Sequence, residues 1–447
     1  MRDWNSRHHL VHDETMKRTP SVDRLDAALA RIDDPQGEGK RAILTIYREA
    51  ARAAAQAADA RTRTHVLLGP LDGAIITIKD LFDVAGEVTR AGSKLIAREG
   101  KPAAVDAPAI HRLRAAGAVI AGKTNMTEFA FSGIGANPHF GTPGNPADRA
   151  RIPGGSTSGG AIAVADGMCE ITIGSDTGGS TRIPAALCGI VGFKPSKWRI
   201  PTDGAFPLSS SLDSIGPMAR TVANCAKADA VMAGEEPHPL DPPPLAALRI
   251  GVAQGAALDS LDDTVGPRFS AALALLAKAG ARLSDETLAL TADMDKINAK
   301  GGLVPPEAYA VHRDRFERSR GDIDPILALR LERAKSVTAA DYQDMLRERA
   351  RLVKAMDVRL SDLDVLAMPA VPIVAPLLAE VATAEGFARK NAMVLRNTSF
   401  GNFFDLTAIT LPMPGGGLPC GLMLMARNGH DHRLLRIAAA VERLFNA

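Results

Sequence analysis

Two stretches, Pro153-Gly-Gly-Ser-Thr-Ser-Gly-Gly160 and Gly174-Ser-Asp-Thr-Gly-Gly-Ser-Thr-Arg-Ile-Pro184, set Gly and Ser tightly against the apolar segment Ala161-Ile-Ala-Val-Ala165. Flexible linkers lack such apolar partners, so these loops belong between buried elements and mark a site. Glycine permits positive φ and close approach, which lets a run of backbone N–H groups converge on one point. Such a cluster suits negative charge, either a phosphate or the oxyanion of an acyl-transfer intermediate. Ser180 follows Gly178 and Gly179 directly, where its hydroxyl and the loop amides would face one reacting carbonyl.

A serine nucleophile needs a base. The histidines nearest in sequence, His111 and His139, have no evident carboxylate orienter, and His139 reads as a loop brace. A buried lysine serves instead when desolvation keeps it neutral near pH 7. Lys79 closes the β-branched run Gly73-Ala-Ile-Ile-Thr-Ile-Lys79, which follows the turn signal Gly69-Pro-Leu-Asp72. That pattern predicts a buried strand with the amine emerging at the sheet's carboxyl edge, where α/β sites form.

Outward from this centre, strands and helices alternate. A helix over Ala107–Ala116, capped by Asp106, leads into a strand at Ala118–Ala121. Further strands are expected at Leu248–Val252, Arg282–Leu288 and Asp364–Met368, with a helix over Asp263–Ala279. Residues 292–362 read as mostly helical, with a strong amphipathic segment from Ala339 to Leu360, and Val371–Ala384 reads as a flexible loop. Residues 1–66 read as an N-terminal helical arm, with one helix from a Ser21 cap to Ala28 and a second over Arg41–Ala60. The alternation predicts an α/β fold, with no internal repeat.

The 447 residues, 46% hydrophobic and 23% charged, have ordinary globular composition. Lys+Arg 53 against Asp+Glu 51 gives a net charge of +2, which makes no electrostatic case for nucleic acid or membrane. Cys169, Cys188, Cys225 and Cys420 form no C-x-x-C pair and no zinc spacing, so reduced thiols in a cytoplasmic protein are expected. The first ten residues contain no apolar secretion segment, and no apolar run reaches the roughly 18–20 residues that span a bilayer. No metal and no cofactor are implied.

Lys79, the Gly-Gly-Ser run at 154–156 and Asp176-Thr-Gly-Gly-Ser-Thr-Arg182 together resemble the amidase signature family. The resemblance spans most of residues 67–447 and includes Leu71-Asp-Gly73, Gly122-Lys-Thr-Asn-Met-Thr-Glu-Phe129 and Gly192-Phe-Lys-Pro195. In that family the relay serine lies 24 positions before the nucleophile, which is the interval from Ser156 to Ser180. The resemblance implies one large mixed sheet flanked by helices on both faces in a single domain over 67–447, with the 74–79 strand central. It implies a catalytic trio of Lys79, Ser156 and Ser180, with a cis peptide bond at the relay serine and no cofactor.

It further implies that the amides of Thr177, Gly178, Gly179 and Ser180 hold the oxyanion and that Ala130 lines the acyl site. Asp176 and Arg182 are expected to hold the loop, and Thr157 and Ser158 to satisfy loop backbone or support Lys79; Arg182 reaching a substrate carboxylate is the alternative. Residues 292–400 would supply much of the pocket wall. The implied activity is hydrolysis of a small-molecule carboxamide, with the catalytic A subunit of a transfer-RNA amidotransferase as the alternative. Ser132-Gly-Ile-Gly-Ala-Asn-Pro-His-Phe-Gly-Thr142 looks like the free-standing amidases. No nucleic-acid or membrane partner is expected, and a homodimer is compatible with the resemblance. Gly117-Ala-Val-Ile-Ala-Gly-Lys-Thr124 matches a phosphate-loop pattern, but its middle residues read as strand, against nucleotide binding there.

Overall fold

Apolar and β-branched runs form eleven strands among residues 19–447, the residues described by the computed structural model. They are β1 (Ile43–Ile46), β2 (Ile75–Lys79), β3 (Val119–Thr124), β4 (Ile171–Ser175), β5 (Val191–Lys194) and β6 (Ile215–Ala219) in the first half. The second half adds β7 (Arg249–Ala253), β8 (Arg282–Glu286), β9 (Val365–Pro369), β10 (Thr407–Pro412) and β11 (Gly421–Ala426). All eleven join one mixed sheet in the order β1-β3-β2-β4-β6-β5-β10-β11-β9-β7-β8. β2 runs parallel to both β3 and β4, and β7 parallel to both β8 and β9.

Side chains alternate across a strand, so neighbouring residues serve opposite faces. Ile76 and Ile78 enter one hydrophobic cluster while Ile75 enters another; Leu422 and Leu424 separate from Met423 and Met425 in the same way. Both faces are therefore packed, and helices flank the sheet as expected. The segment 290–403 is mostly helical, with helices Leu290–Ala299, Val304–Ser319, Pro325–Ala334, Ala339–Arg359, Ala384–Arg396 and Thr398–Phe403. No helix of the described residues is long and apolar enough to cross a membrane.

Several local expectations need correction. The helix expected over 41–60 is interrupted by β1, which pairs antiparallel with β3; helix resumes at Arg48–Arg63. In the strand order β2 is third from the β1 edge rather than central. Ser21 does not cap its helix, which runs Ser21–Asp33; the Asp59 carboxylate accepts from the Ser21 and Val22 amides instead. Asp106 does not cap the following helix, Pro108–Ala115, whose N-cap position falls on Ala107. Its carboxylate accepts from Ala85 N–H and pairs with Arg114, both at 2.9 Å. The 371–384 loop, expected to be flexible, is pinned: Ile152 N–H donates to Pro376 O and Arg151 to Ala375 O. Residues 1–18 of the expected helical arm lie outside the described residues.

Candidate active site

Lys79 and Ser175 are the last residues of the adjacent parallel strands β2 and β4, so the topology delivers both to the same sheet edge. Lys79 Nζ donates to Ser156 Oγ at 2.8 Å and to Ser175 Oγ at 2.9 Å. The amine is wholly buried. Burial pushes its pKa down to about 7, against the pull of the Asp176 and Asp213 carboxylates. The Gly155–Ser156 peptide bond is cis.

Ser175 was not anticipated, since a serine at a strand end has no signature of its own; the parallel pairing makes it a partner. The bracing role expected of Thr157 and Ser158 is not seen. Both hydroxyls are buried without a hydrogen-bond partner among the described residues; Thr157 stands at the N-cap of the helix Ser158–Ala165 but its side chain makes no cap bond.

Asp176 organises the second loop. Its carboxylate accepts from Gly179 N–H (2.8 Å), Thr181 N–H (3.1 Å) and Thr181 Oγ1 (2.9 Å). It also accepts from Arg182 Nε (3.0 Å) and Nη2 (2.9 Å) and from Asn402 Nδ2 (2.9 Å). Burial opposes this charge, but the Arg182 guanidinium, with Lys194 and Asn402, holds the carboxyl well below the usual range.

These bonds bear on two expectations. The Gly179 amide, at φ +134°, is taken by Asp176 and so is not an oxyanion donor in this arrangement. Arg182, fully buried, spends its remaining donors on Thr398 O, Met423 Sδ and Asn402 Oδ1, which leaves none of its five for substrate. Asn402 carried no signal in the sequence.

Ser180, Thr177, Gly178 and Ala130 line one cavity of about 520 Å³, within the range of small-molecule sites. Much of the remaining lining comes from the helical segment, through Met294, Val304, Arg330 and Leu395 among others. Thr177 Oγ1 donates to Asp213 Oδ1 at 2.6 Å, which ties this loop to the turn before β6. His139 Nε2 sits 3.0 Å from Glu128 Oε2 and does not line the cavity. Among the described residues no group of three or more His, Cys, Asp or Glu is placed to hold a metal ion, and all four cysteines are buried and free.

The family model described as Amidase matches residues 23–435. The chain is 36% identical to the 2-amino-5-chloromuconic acid deaminase of Comamonas testosteroni, over 88% of this chain and 86% of that relative. It is also 36% identical to the A subunit of glutamyl-tRNA(Gln) amidotransferase from Roseiflexus sp. (strain RS-1), over 95% and 93%. A crystal structure of an amidase superposes with a TM-score of 0.85 at 32% identity, covering 96% of this chain and 97% of its own.

Proposed function

The chain belongs to the amidase signature family and is a hydrolase of amide C–N bonds; from that premise we propose that it converts a small-molecule carboxamide to a carboxylic acid and ammonia or an amine, through an acyl-enzyme on Ser180. The observation that carries this reading is the wholly buried Lys79 amine, 2.8 Å from Ser156 Oγ, behind a cavity lined by Ser180. A neutral lysine so placed is a base at the end of a hydroxyl relay.

In this reading Ser180 Oγ attacks the carbonyl carbon and its proton passes to Ser156, whose own proton moves to Lys79. The oxyanion is held by the amides of Thr177, Gly178 and Ser180. When the C–N bond breaks, the leaving nitrogen takes a proton from Ser156, which Lys79 replenishes. Water then attacks the ester, its proton follows the same relay, and Ser180 is restored. Ala130 leaves room beside the nucleophile for the acyl group.

Turnover in hydroxylamine tests this, because the amine intercepts a seryl ester as a hydroxamate. Ser180→Ala should abolish both turnover and hydroxamate in a protein that still folds. A Ser180→Ala variant that kept its rate would end the proposal. The match to the Roseiflexus amidotransferase chain supports a second reading, as the catalytic A subunit of a transfer-RNA amidotransferase. Amidase activity in the isolated chain favours the first; glutaminase activity that appears only with co-purified protein chains favours the second.

A further inference from the structure

Arg330 is the only charged side chain among the residues lining the cavity that holds Ser180, and no carboxylate among the described residues pairs with it. It lies on the helix Pro325–Ala334. Nη1 donates to Phe131 O at 2.7 Å, and the guanidinium stands 4.0 Å from the centroid of the Phe131 ring. Phe131 follows Ala130, so these two contacts fix the cation beside the residue that the proposed function places at the acyl group. One of five guanidinium donors is thereby used. None of the others is a buried atom without a partner, and the half-buried side chain lines the cavity.

We propose that Arg330 is the specificity residue of this site and that the preferred substrates are amides whose acyl part carries a carboxylate, held by the Arg330 guanidinium. The proposal rests on the amidase reading above and narrows it to a substrate class. This cation is half-buried in a mostly apolar wall and no acid of the described residues pairs with it, so its charge has no counterion in the protein. A carboxylate supplies it in the planar, two-bonded geometry that a guanidinium favours. Arg182, the other arginine near the nucleophile, cannot play this part because all its donors are spent. Burial and Arg333 lower the Arg330 pKa to about 10, which still leaves it protonated at neutral pH.

The experiment compares succinamate, glutaramate and adipamate with butanamide, pentanamide and hexanamide, in wild type and in Arg330→Met and Arg330→Lys. The readout is the ratio of kcat/KM for each carboxylated amide to that of its neutral counterpart. A general loss from a loosened Phe131 loop then cancels. In wild type at least one ratio should exceed about ten. Arg330→Met should lower it roughly ten- to a hundredfold, mainly through KM, as expected for loss of a charge-assisted pair. Arg330→Lys should recover part of it.

Wild type that prefers the neutral amides, or a ratio unchanged by Arg330→Met, overturns the proposal while leaving the amidase reading intact. A fluorophosphonate probe that labels Ser180, with no carboxylated amide turned over, also overturns it. If nothing is turned over and Ser180 does not label, the amidase reading itself fails, and this inference with it.

Discussion

Ser175 Oγ takes the second hydrogen bond of the Lys79 amine, 2.9 Å away, from the end of the neighbouring parallel strand. The Lys79 amine is thus held from two sides, by Ser156, the relay serine of the proposed mechanism, and by a serine outside that relay. Ser175→Ala should lower kcat/KM by about ten- to a hundredfold, the range for one lost hydrogen bond to a charged group. Removing a hydroxyl that solvates the ammonium also disfavours the protonated form, so the acid limb of the pH–rate profile should move to lower pH. A purely structural role would lower the rate without moving that limb.

The wild-type profile follows from the same lysine. Only the neutral amine can accept a proton, and burial has pushed its pKa down to about 7. Below pH 7, kcat/KM should fall about tenfold per unit, and above it the rate should level off. A limb centred near the ordinary lysine value of about 10.4 would show that the base is not a lysine depressed by burial.

Much of this site was legible because its chemistry needs unusual residues in unusual places. A lysine ending an apolar strand and the 24-position interval between Ser156 and Ser180 are specific patterns. What escaped depended on tertiary placement. Ser175 and Asn402 matter only because a parallel pairing and a distant helix bring them in, and Arg330 looks like any helical arginine until its cavity closes around it. Which loop amide Asp176 would capture could not be read from composition. The strand β1 was hidden by the Ala-rich helix beside it, although Ile43-Leu-Thr-Ile46 carried the β-branched signal that would have found it.

Asp176 and Arg182 form an ion pair in which both side chains are fully buried. Arg182→Met would leave the Asp176 carboxylate uncompensated, a loss of about 3–5 kcal/mol for breaking such a pair. The urea midpoint should drop accordingly, and activity should fall even under folding conditions, because Asp176 orders the loop that carries Ser180. An unchanged midpoint would show that Asn402 and the loop amides alone can hold the charge.

His312 lies with its ring centroid 3.9 Å from that of Phe129 and 5.6 Å from that of Phe206, and both its nitrogens are buried without a partner among the described residues. Burial, reinforced by Arg315, pushes its pKa down to about 3. Between an unfolded value of about 6.5 and that level, the unfolded chain binds a proton that the folded chain refuses. Stability should therefore fall as pH drops through this window and be unaffected by this group above it. His312→Leu should lose less stability than wild type between pH 7 and pH 4.5, measured as the shift in urea midpoint. Equal losses in the two proteins would assign the acid sensitivity elsewhere.

The relay and the wall of its cavity come from different parts of the chain and differ in how much change they admit. At Gly174 an added Cβ would lie 2.6 Å from Thr157 Oγ1, so the loops around Lys79 and Ser156 have no room for novelty. Much of the remaining lining is assembled one side chain at a time from several helices between residues 290 and 403. A lineage built this way can inherit its reaction unaltered and change its diet residue by residue.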